Sequence, residues 1–350
     1  LDVDEPLRLP RGRAVALNAG SSSLKAALFG DRRELARREM ALDAAQPESV
    51  TRAVDAILDE FGDEEPNVVV HRVVHGGAEL HSPTEIDDAV LEKLHAATAL
   101  APLHQPIGLA VIAAARARLP KVHHVACFDT DFCWSLPTLA ARLPIPHQYA
   151  QRGLRRYGFH GLSYEYITRS FAAVLGPRAV IAHLGNGSSL VALRDRAPVD
   201  TTMAATPLGG VVMSTRTGDL DPGAVSALTR MIGDVDRTEH TLAFESGLLA
   251  LSGSTGDLAE LVPRVTDDEG ARLAVDAYVV SVAKAVAGFA TVLGGLDTVV
   301  FTGGVGVHNV FVRSAVVERL VAIGLRFDAR FVGTNEERMM AWHALHKLSF

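Results

Sequence analysis

Apolar and polar positions follow one another regularly enough to divide this chain into strands and helices before any chemistry is considered. Apolar runs at 14–17 and 24–29 flank a short polar turn and predict two strands joined as a hairpin. A helical period runs from Glu48 to Phe61 and is broken by Glu64-Glu65-Pro66-Asn67, after which Val68-Val69-Val70 reads as a buried strand. Helices are predicted over Asp88 to Leu100 and from about Ile107 to Ala117, then a strand over Val122 to Phe128. The stretch from Leu136 to Arg156 has proline and arginine but little periodicity, as expected where a chain crosses between domains. Further strands are predicted at 179–182, 191–193 and 298–301. Asp221-Pro222 has the N-cap and N1 form of a helix start, and Thr266-x-x-Glu269 has the form of a capping box before a long apolar helix over 271–294. A helix from Asn309 and a short one after Glu336-Glu337 complete the pattern; those two acids would neutralise the positive end of the last helix.

The first hairpin turn, Asn18-Ala19-Gly20-Ser21-Ser22-Ser23-Leu24-Lys25, combines a glycine with three hydroxyl residues. Such a turn lets backbone N–H groups and hydroxyls approach a phosphate, and it is equally an ordinary polar hairpin turn. The pattern recurs at Leu184-Gly185-Asn186-Gly187-Ser188-Ser189-Leu190, again between apolar runs. Two such strand–turn–strand units, one near the start of each half, predict a duplicated domain with a phosphate-bearing ligand held between the copies. A solenoid repeat would have a period of roughly 20–50 residues, far shorter than this.

Composition narrows the class. The 350 residues suit two domains, and 48% hydrophobic with 21% charged residues is the mix of a soluble globular protein. A net charge of −7 offers no broad basic field, so no nucleic-acid partner is expected. Two cysteines, Cys127 and Cys133, are too few for a disulfide scaffold, and the opening Leu1-Asp2-Val3-Asp4-Glu5 lacks signal-peptide form; a cytoplasmic location is expected. The most apolar helix carries Asp276 and Lys284 internally, so no membrane partner is expected.

Several polar residues stand where strands end. Arg72 follows a buried strand and precedes Gly76-Gly77, a position suited to an anion or to a surface loop. Asp129-Thr130-Asp131 follows another strand, as magnesium-binding carboxylates do and as helix caps also do. His160 lies in Gly158-Phe159-His160-Gly161, before a helix that Ser163 is placed to cap. Arg216 lies on the approach to the helix starting at Asp221, and Thr302-Gly303-Gly304-Val305-Gly306 is a strand–glycine turn of the kind found at nucleotide sites and at close-packed βα turns alike.

Taken in order, Asn18 to Lys25, His71 to Gly77, Leu100 to Pro106, Phe128-Asp129-Thr130, Tyr157 to Gly161, His183 to Ser189, Thr206 to Pro222, Phe301 to Gly306 and Thr334 to Glu337 resemble the acetate kinase family of the acetate and sugar kinase/Hsp70/actin superfamily. The resemblance implies an α/β, two-domain actin-like (ribonuclease H-like) fold with a duplicated βββαβαβα core and the active site in the interdomain cleft. The expected domains are 1–133 with 338–350, and 134–337. It implies a homodimer that transfers the ATP γ-phosphoryl group to acetate or another short-chain carboxylate, with Mg²⁺, or Mn²⁺ in its place.

The same resemblance assigns roles. Arg72, Asp129, His160 and Arg216 would be catalytic, and Asn18, Asp129 and Glu336 would position the metal. Arg72 and Arg216 would bind the carboxylate and moving phosphoryl group, with Val74, Leu103, Phe159 and Pro207 forming the acyl pocket. Asn18, Ser23, Lys25, His183, Gly185, Asn186, Gly187, Asp257, Gly303, Gly304 and Gly306 would bind nucleotide. The chain departs from the family pattern at Tyr164, where a second histidine is usual, at Val307-His308, at Asp257-Leu258-Ala259 and in a shortened stretch between Phe327 and Gly333. Three further readings follow: a propionate kinase, the same fold with another phosphoryl donor, or a non-catalytic sensor of nucleotide or acyl phosphate.

Overall fold

In the computed structural model, which describes residues 7–20, 23–42, 47–62, 64–102 and 104–348, the apolar runs become two sheets. The strands are β1 (Ala14–Ala19), β2 (Ser23–Gly30), β3 (Arg33–Ala41), β4 (Val68–Val73), β5 (Thr84–Glu85), β6 (His123–Phe128), β7 (Arg178–Leu184), β8 (Ser188–Arg194), β9 (Ala197–Thr201), β10 (Thr298–Thr302) and β11 (Asp328–Phe331). The first sheet has the order β3-β2-β1-β4-β6-β5 and the second β11-β10-β7-β8-β9. In each, the first two hairpins are antiparallel and two further strands, β4 and β6 or β10 and β11, run parallel to the hairpin's first strand, while the short β5 pairs antiparallel with β6 at the edge of the first sheet. Strands β1, β2, β3, β4 and β6 thus correspond to β7, β8, β9, β10 and β11. The duplication extends to the second hairpin turn: Asp31-Arg32 and Asp195-Arg196 are two-residue loops with φ of 49° and 67°, and 49° and 70°. Positive φ at both positions is the turn whose twist matches that of paired strands.

The chain divides into two compact units. The first comprises 1–134, 159–171 and 335–350, the second 135–158 and 172–334. Trp134, the segment 159–171 and residues 335–337 therefore differ from the expected division. The physical reason is packing: the Gly161–Ser170 helix contacts the Glu336–Leu348 helix, which itself lies on β1 and β4.

In the first unit, Val15, Leu17, Leu24, Ala26 and Leu28 of the sheet bury against Val50, Val54 and Ile57 of the Pro47–Glu60 helix and Val111 and Ala115 of the Gln105–Arg118 helix. In the second, the Glu269–Leu293 and Val310–Ala322 helices cover β7, β8 and β10, with Val275, Tyr278, Val282, Val286 and Phe289 in the core. The 25-residue Glu269–Leu293 helix is long and apolar enough to cross a membrane by length and composition, yet its apolar stripe packs into this core.

Most elements fall where the periodicity puts them, and the exceptions have local causes. The predicted Asp88–Leu100 helix ends at Ala96 and tightens into a 3₁₀ turn over Ala97–Leu100. Asp221 caps the Pro222–Ile232 helix by accepting from the Ala224 N–H at 2.9 Å. The long helix is capped by Asp268, two residues after Thr266, because the Asp268 carboxylate accepts from Ala271 at 3.0 Å and also holds Arg264. Residues 303–308 form a helical turn of their own before Asn309 caps the next helix. The shortened 327–333 stretch still supplies the edge strand β11, paired with β10.

Candidate active site

The site residues of the first unit converge at the ends of β1, β4 and β6. Arg72 is the second-last residue of β4, and Asp129 directly follows β6, its parallel neighbour. The Arg72 guanidinium meets Asp129 through both carboxylate oxygens, with N–O distances of 2.6, 3.0 and 3.1 Å. Its other nitrogen donates to Asn18 Oδ1 at 3.1 Å. Asn18 in turn donates through Nδ2 to Glu336 at 3.1 Å and Glu337 at 2.6 Å. Arg37 on β3 closes the chain, reaching Glu337 at 2.7 Å and Glu34 at 2.8 Å. Asp129 is therefore an ion-pair partner here, with no helix cap to make.

Burial penalises the Arg72 cation, but Asp129, Glu336 and Glu337 outweigh that cost and raise its pKa above the ordinary arginine value. Burial likewise pushes Asp129 upward while Arg72 pulls it down. The fork-to-fork geometry supports the charged pair, since Oδ1 receives Nε–H and Oδ2 the terminal N–H. Asn18, Asp129 and Glu336 offer hard oxygen donors, although no three His, Cys, Asp or Glu side chains close into a metal cage among the described residues. That set suits a hard divalent cation that keeps most of its water, using one or two carboxylates.

His160 is held by backbone geometry. It takes φ of 60°, in the left-handed region, and is the N-cap residue of the Gly161–Ser170 helix. Gly161 donates to the Asp129 carbonyl at 2.8 Å, and a Cβ on Gly161 would lie 2.4 Å from that oxygen. Asp129 and the histidine loop are therefore fixed to each other. Ser163 lies inside the helix and does not cap it, because Gly161 starts the helix two residues earlier. Phe159 is buried with its ring edge-on to His75 at 5.6 Å, and Val74 is half-buried just beyond β4. Tyr164 is fully buried and packs near Phe132, so a core aromatic occupies the place of the family's second histidine. Ser23 bonds Glu39 at 2.9 Å, and Lys25 is an exposed residue opposite Asn18 across the hairpin. Leu103, Ser21 and Ser22 lie outside the described residues.

The second unit holds the other candidates around a glycine-lined surface. His183 is the second-last residue of β7, between Ser189 of β8 and Thr302 of β10. In the turn that follows, Gly185 donates to Ser188 Oγ at 3.2 Å, and Ser188 Oγ bonds Tyr278 at 2.8 Å. Gly303 has φ of 77°, and a Cβ there would come 2.5 Å from the Leu184 carbonyl, so only glycine brings this turn against the β7 end. Gly304 and Gly306 continue the same helical turn. Asn186 accepts from Ser214 N–H at 3.3 Å, joining the turn to the loop that carries Arg216. Arg216 donates to the carbonyl of buried Pro207 at 3.2 Å. Asp257 is exposed and caps the Leu258–Leu261 turn, accepting from Ala259 at 2.8 Å. The candidates are thus grouped as Asn18, Ser23, Lys25, Arg72, Val74, Asp129, Phe159, His160 and Glu336 in one unit, and the remaining described ones in the other.

Comparison with known proteins decides the family. The acetokinase family profile matches residues 33–341. The chain belongs to the acetokinase family. An acetate kinase from Deinococcus deserti is 40% identical over 348 residues, covering 90% of this chain and 87% of that relative. A crystal structure of a propionate kinase from Francisella tularensis superposes with a TM-score of 0.86 at 30% identity, over 95% of this chain and 98% of that one. The Porphyromonas gingivalis acetate kinase structure gives 0.79 at 30% identity, over 96% and 99%. The fold of this acetokinase-family chain is accordingly the duplicated actin-like fold, as the matching strand orders already indicated.

Reading along the sequence misses Glu337 and Arg37. Glu337 is only 4% exposed and is bound by both Asn18 and Arg37, whereas its neighbour Glu336 attracts attention through the family pattern. The sequence signal was the pair of acids itself. Arg37 has none, because Glu337, which draws it into this network, lies 300 residues away.

Proposed function

We propose that this chain is an acetate kinase, reversibly transferring the ATP γ-phosphoryl group to acetate to give acetyl phosphate and ADP. The observation that carries the reading is the Asp129–Arg72–Asn18–Glu336 network at the strand ends, in a chain of this family. A carboxylate oxygen attacks the γ-phosphorus, a new O–P bond forms, and the bond to the bridging oxygen breaks with its electron pair leaving on ADP. Carboxylates are nucleophilic at neutral pH, so no general base is needed, and the barrier lies in bringing anions together.

Arg72 suits the acceptor side. It is charged, oriented by Asp129 on one edge and Asn18 on the other, and so cannot rotate away from an incoming carboxylate. His160 donates to an equatorial phosphoryl oxygen from a fixed backbone, and Arg216 supplies a second guanidinium. Mg²⁺, or Mn²⁺ in its place, would be held by Asp129, Glu336 and Asn18 and would neutralise phosphate charge when bound. Gly185, Gly187 and Gly303 present backbone to nucleotide phosphates, as their lack of side chains permits.

Propionate is the second reading, favoured by the likeness to the Francisella tularensis propionate kinase. One methylene in an apolar pocket changes discrimination by only about 1–3 kcal/mol, so both acids are substrates to compare. The test is acyl phosphate formation trapped with hydroxylamine, using ATP, Mg²⁺ and either acid, with alternative phosphoryl donors alongside. Turnover that requires the carboxylate and falls roughly 10³-fold in kcat for Arg216→Ala, the loss of an arginine finger, is expected. Nucleotide binding without turnover from any donor would instead favour a sensor.

A further inference from the structure

A cavity of about 870 Å³ opens in the first unit between the Gln105–Arg118 helix, the segment around His95 and the start of β6. It lies at the opposite end of β6 from Asp129, roughly 17 Å along the strand at about 3.3 Å per residue. It also lies on the other sheet face: Val69 and His71 of β4 point toward the Gln105–Arg118 helix, and alternation sends Arg72 the other way. No residue assigned to phosphoryl transfer above lines it.

The lining has two chemistries. Its floor is apolar, made by Leu91, Leu109 and buried Ile112, the open edge of the cluster that fills this end of the sheet. Its wall carries Arg116 and Lys121. Among the described residues of the lining, Glu85 is the single carboxylate, and it is bound by His123 at 2.6 Å. Among the described residues, the ion pair Arg116 makes is a long one, 3.6 Å to exposed Asp88.

The floor is also protected from taking a charge of its own. His124 lines the cavity and places Nε2 3.1 Å from the Leu119 carbonyl, so that nitrogen is the donor. Its Nδ1 must then accept from His71 Nε2 at 3.0 Å. This relay uses neutral rings throughout, and burial together with nearby Arg116 holds both histidines below the ordinary value. Arg116 and Lys121 are therefore the fixed positive charges, set beside an apolar floor of ligand-sized volume.

We propose that this cavity is a second ligand site, separate from the phosphoryl-transfer site, which takes a soluble organic anion: a carboxylate or phosphate head on Arg116 and Lys121, with an apolar body of several carbons on Leu91, Leu109 and Ile112. The family's own acyl substrates are too short to span such a floor. The site accordingly suits an effector and leaves the substrate site untouched.

Calorimetry on the full chain with octanoate and with octyl phosphate tests this, with octanol as the uncharged control. One saturable site is expected for at least one of the two anions, persisting in saturating acetyl phosphate. Arg116→Gln with Lys121→Gln should weaken it roughly tenfold, the loss of charge-assisted bonds. Leu109→Trp should block it by filling the floor, with unliganded acetate turnover unchanged in both variants. Binding that acetyl phosphate displaces, that octanol matches, or that neither variant weakens would overturn the proposal, as would no binding of either anion.

Discussion

At Arg72 and Asp129 the chemistry depends on a pair and not on either residue alone. Asp129 is 1% exposed and receives both forks of the guanidinium, so removing one partner strands the other's charge. Arg72→Met should abolish turnover and destabilise the fold by about 3–5 kcal/mol, the usual cost of breaking a buried pair. The double change Arg72→Met with Asp129→Leu should recover most of that stability in denaturant titrations and none of the activity. His160 separates the two properties differently. Its φ of 60° is one that glycine adopts without strain. His160→Gly should therefore leave Tm unchanged or higher while lowering kcat about 10²–10³-fold, as loss of a transition-state donor does. The sequence pointed to all three, Arg72 and Asp129 because they stand at strand ends and His160 because glycines flank its loop. It did not reveal that Gly161 must touch the Asp129 carbonyl, which is why the predicted Ser163 cap failed.

Between elements, the Gly161–Ser170 and Glu336–Leu348 helices are joined by a side-chain hydrogen bond. His343 Nε2 lies 2.7 Å from Glu165, which also pairs with Arg169. Burial would raise Glu165, but His343 and Arg169 hold it below the ordinary glutamate value. Nearby Asp131, after β6, is pushed up to about 7 by burial and by Glu165. A carboxyl with a raised folded-state pKa keeps its proton while the unfolded chain has lost it, so stability falls as pH climbs from about 4 to about 7 and then levels. Asp131→Asn removes that penalty. Its Tm gain over the parent should be larger at pH 8 than at pH 5 in thermal melts, and an equal gain at both would exclude the effect. None of this network is visible in periodicity, because Asp131, Glu165 and His343 are brought together only by helix packing.

For the whole molecule, duplication was legible from two Gly-Ser turns and is written more fully in the strand order and the Asp31-Arg32 and Asp195-Arg196 loops. The Asp-Arg repeat was available in the sequence, but two residues are too short a signal without the φ values that make them equivalent. The homodimer implied by the family resemblance predicts a sedimenting mass about twice the 37.3 kDa of the chain, and a single-chain mass would correct it.

The sequence by itself determined the seven apolar strands, most helix boundaries, the Asp221 cap and the family, since these rest on local periodicity, local φ preference and ordered motifs, while the more exposed strands β3, β5, β9 and β11 carry no apolar run to mark them. Only tertiary structure decided that 159–171 joins the first unit, that Glu337 and Arg37 belong to the Asn18 network, and that His71 and His124 form a neutral relay beside a cavity. Those outcomes depend on which distant charges and ring nitrogens lose water together. Desolvation is set by packing in three dimensions, and the order of residues along the chain does not record it.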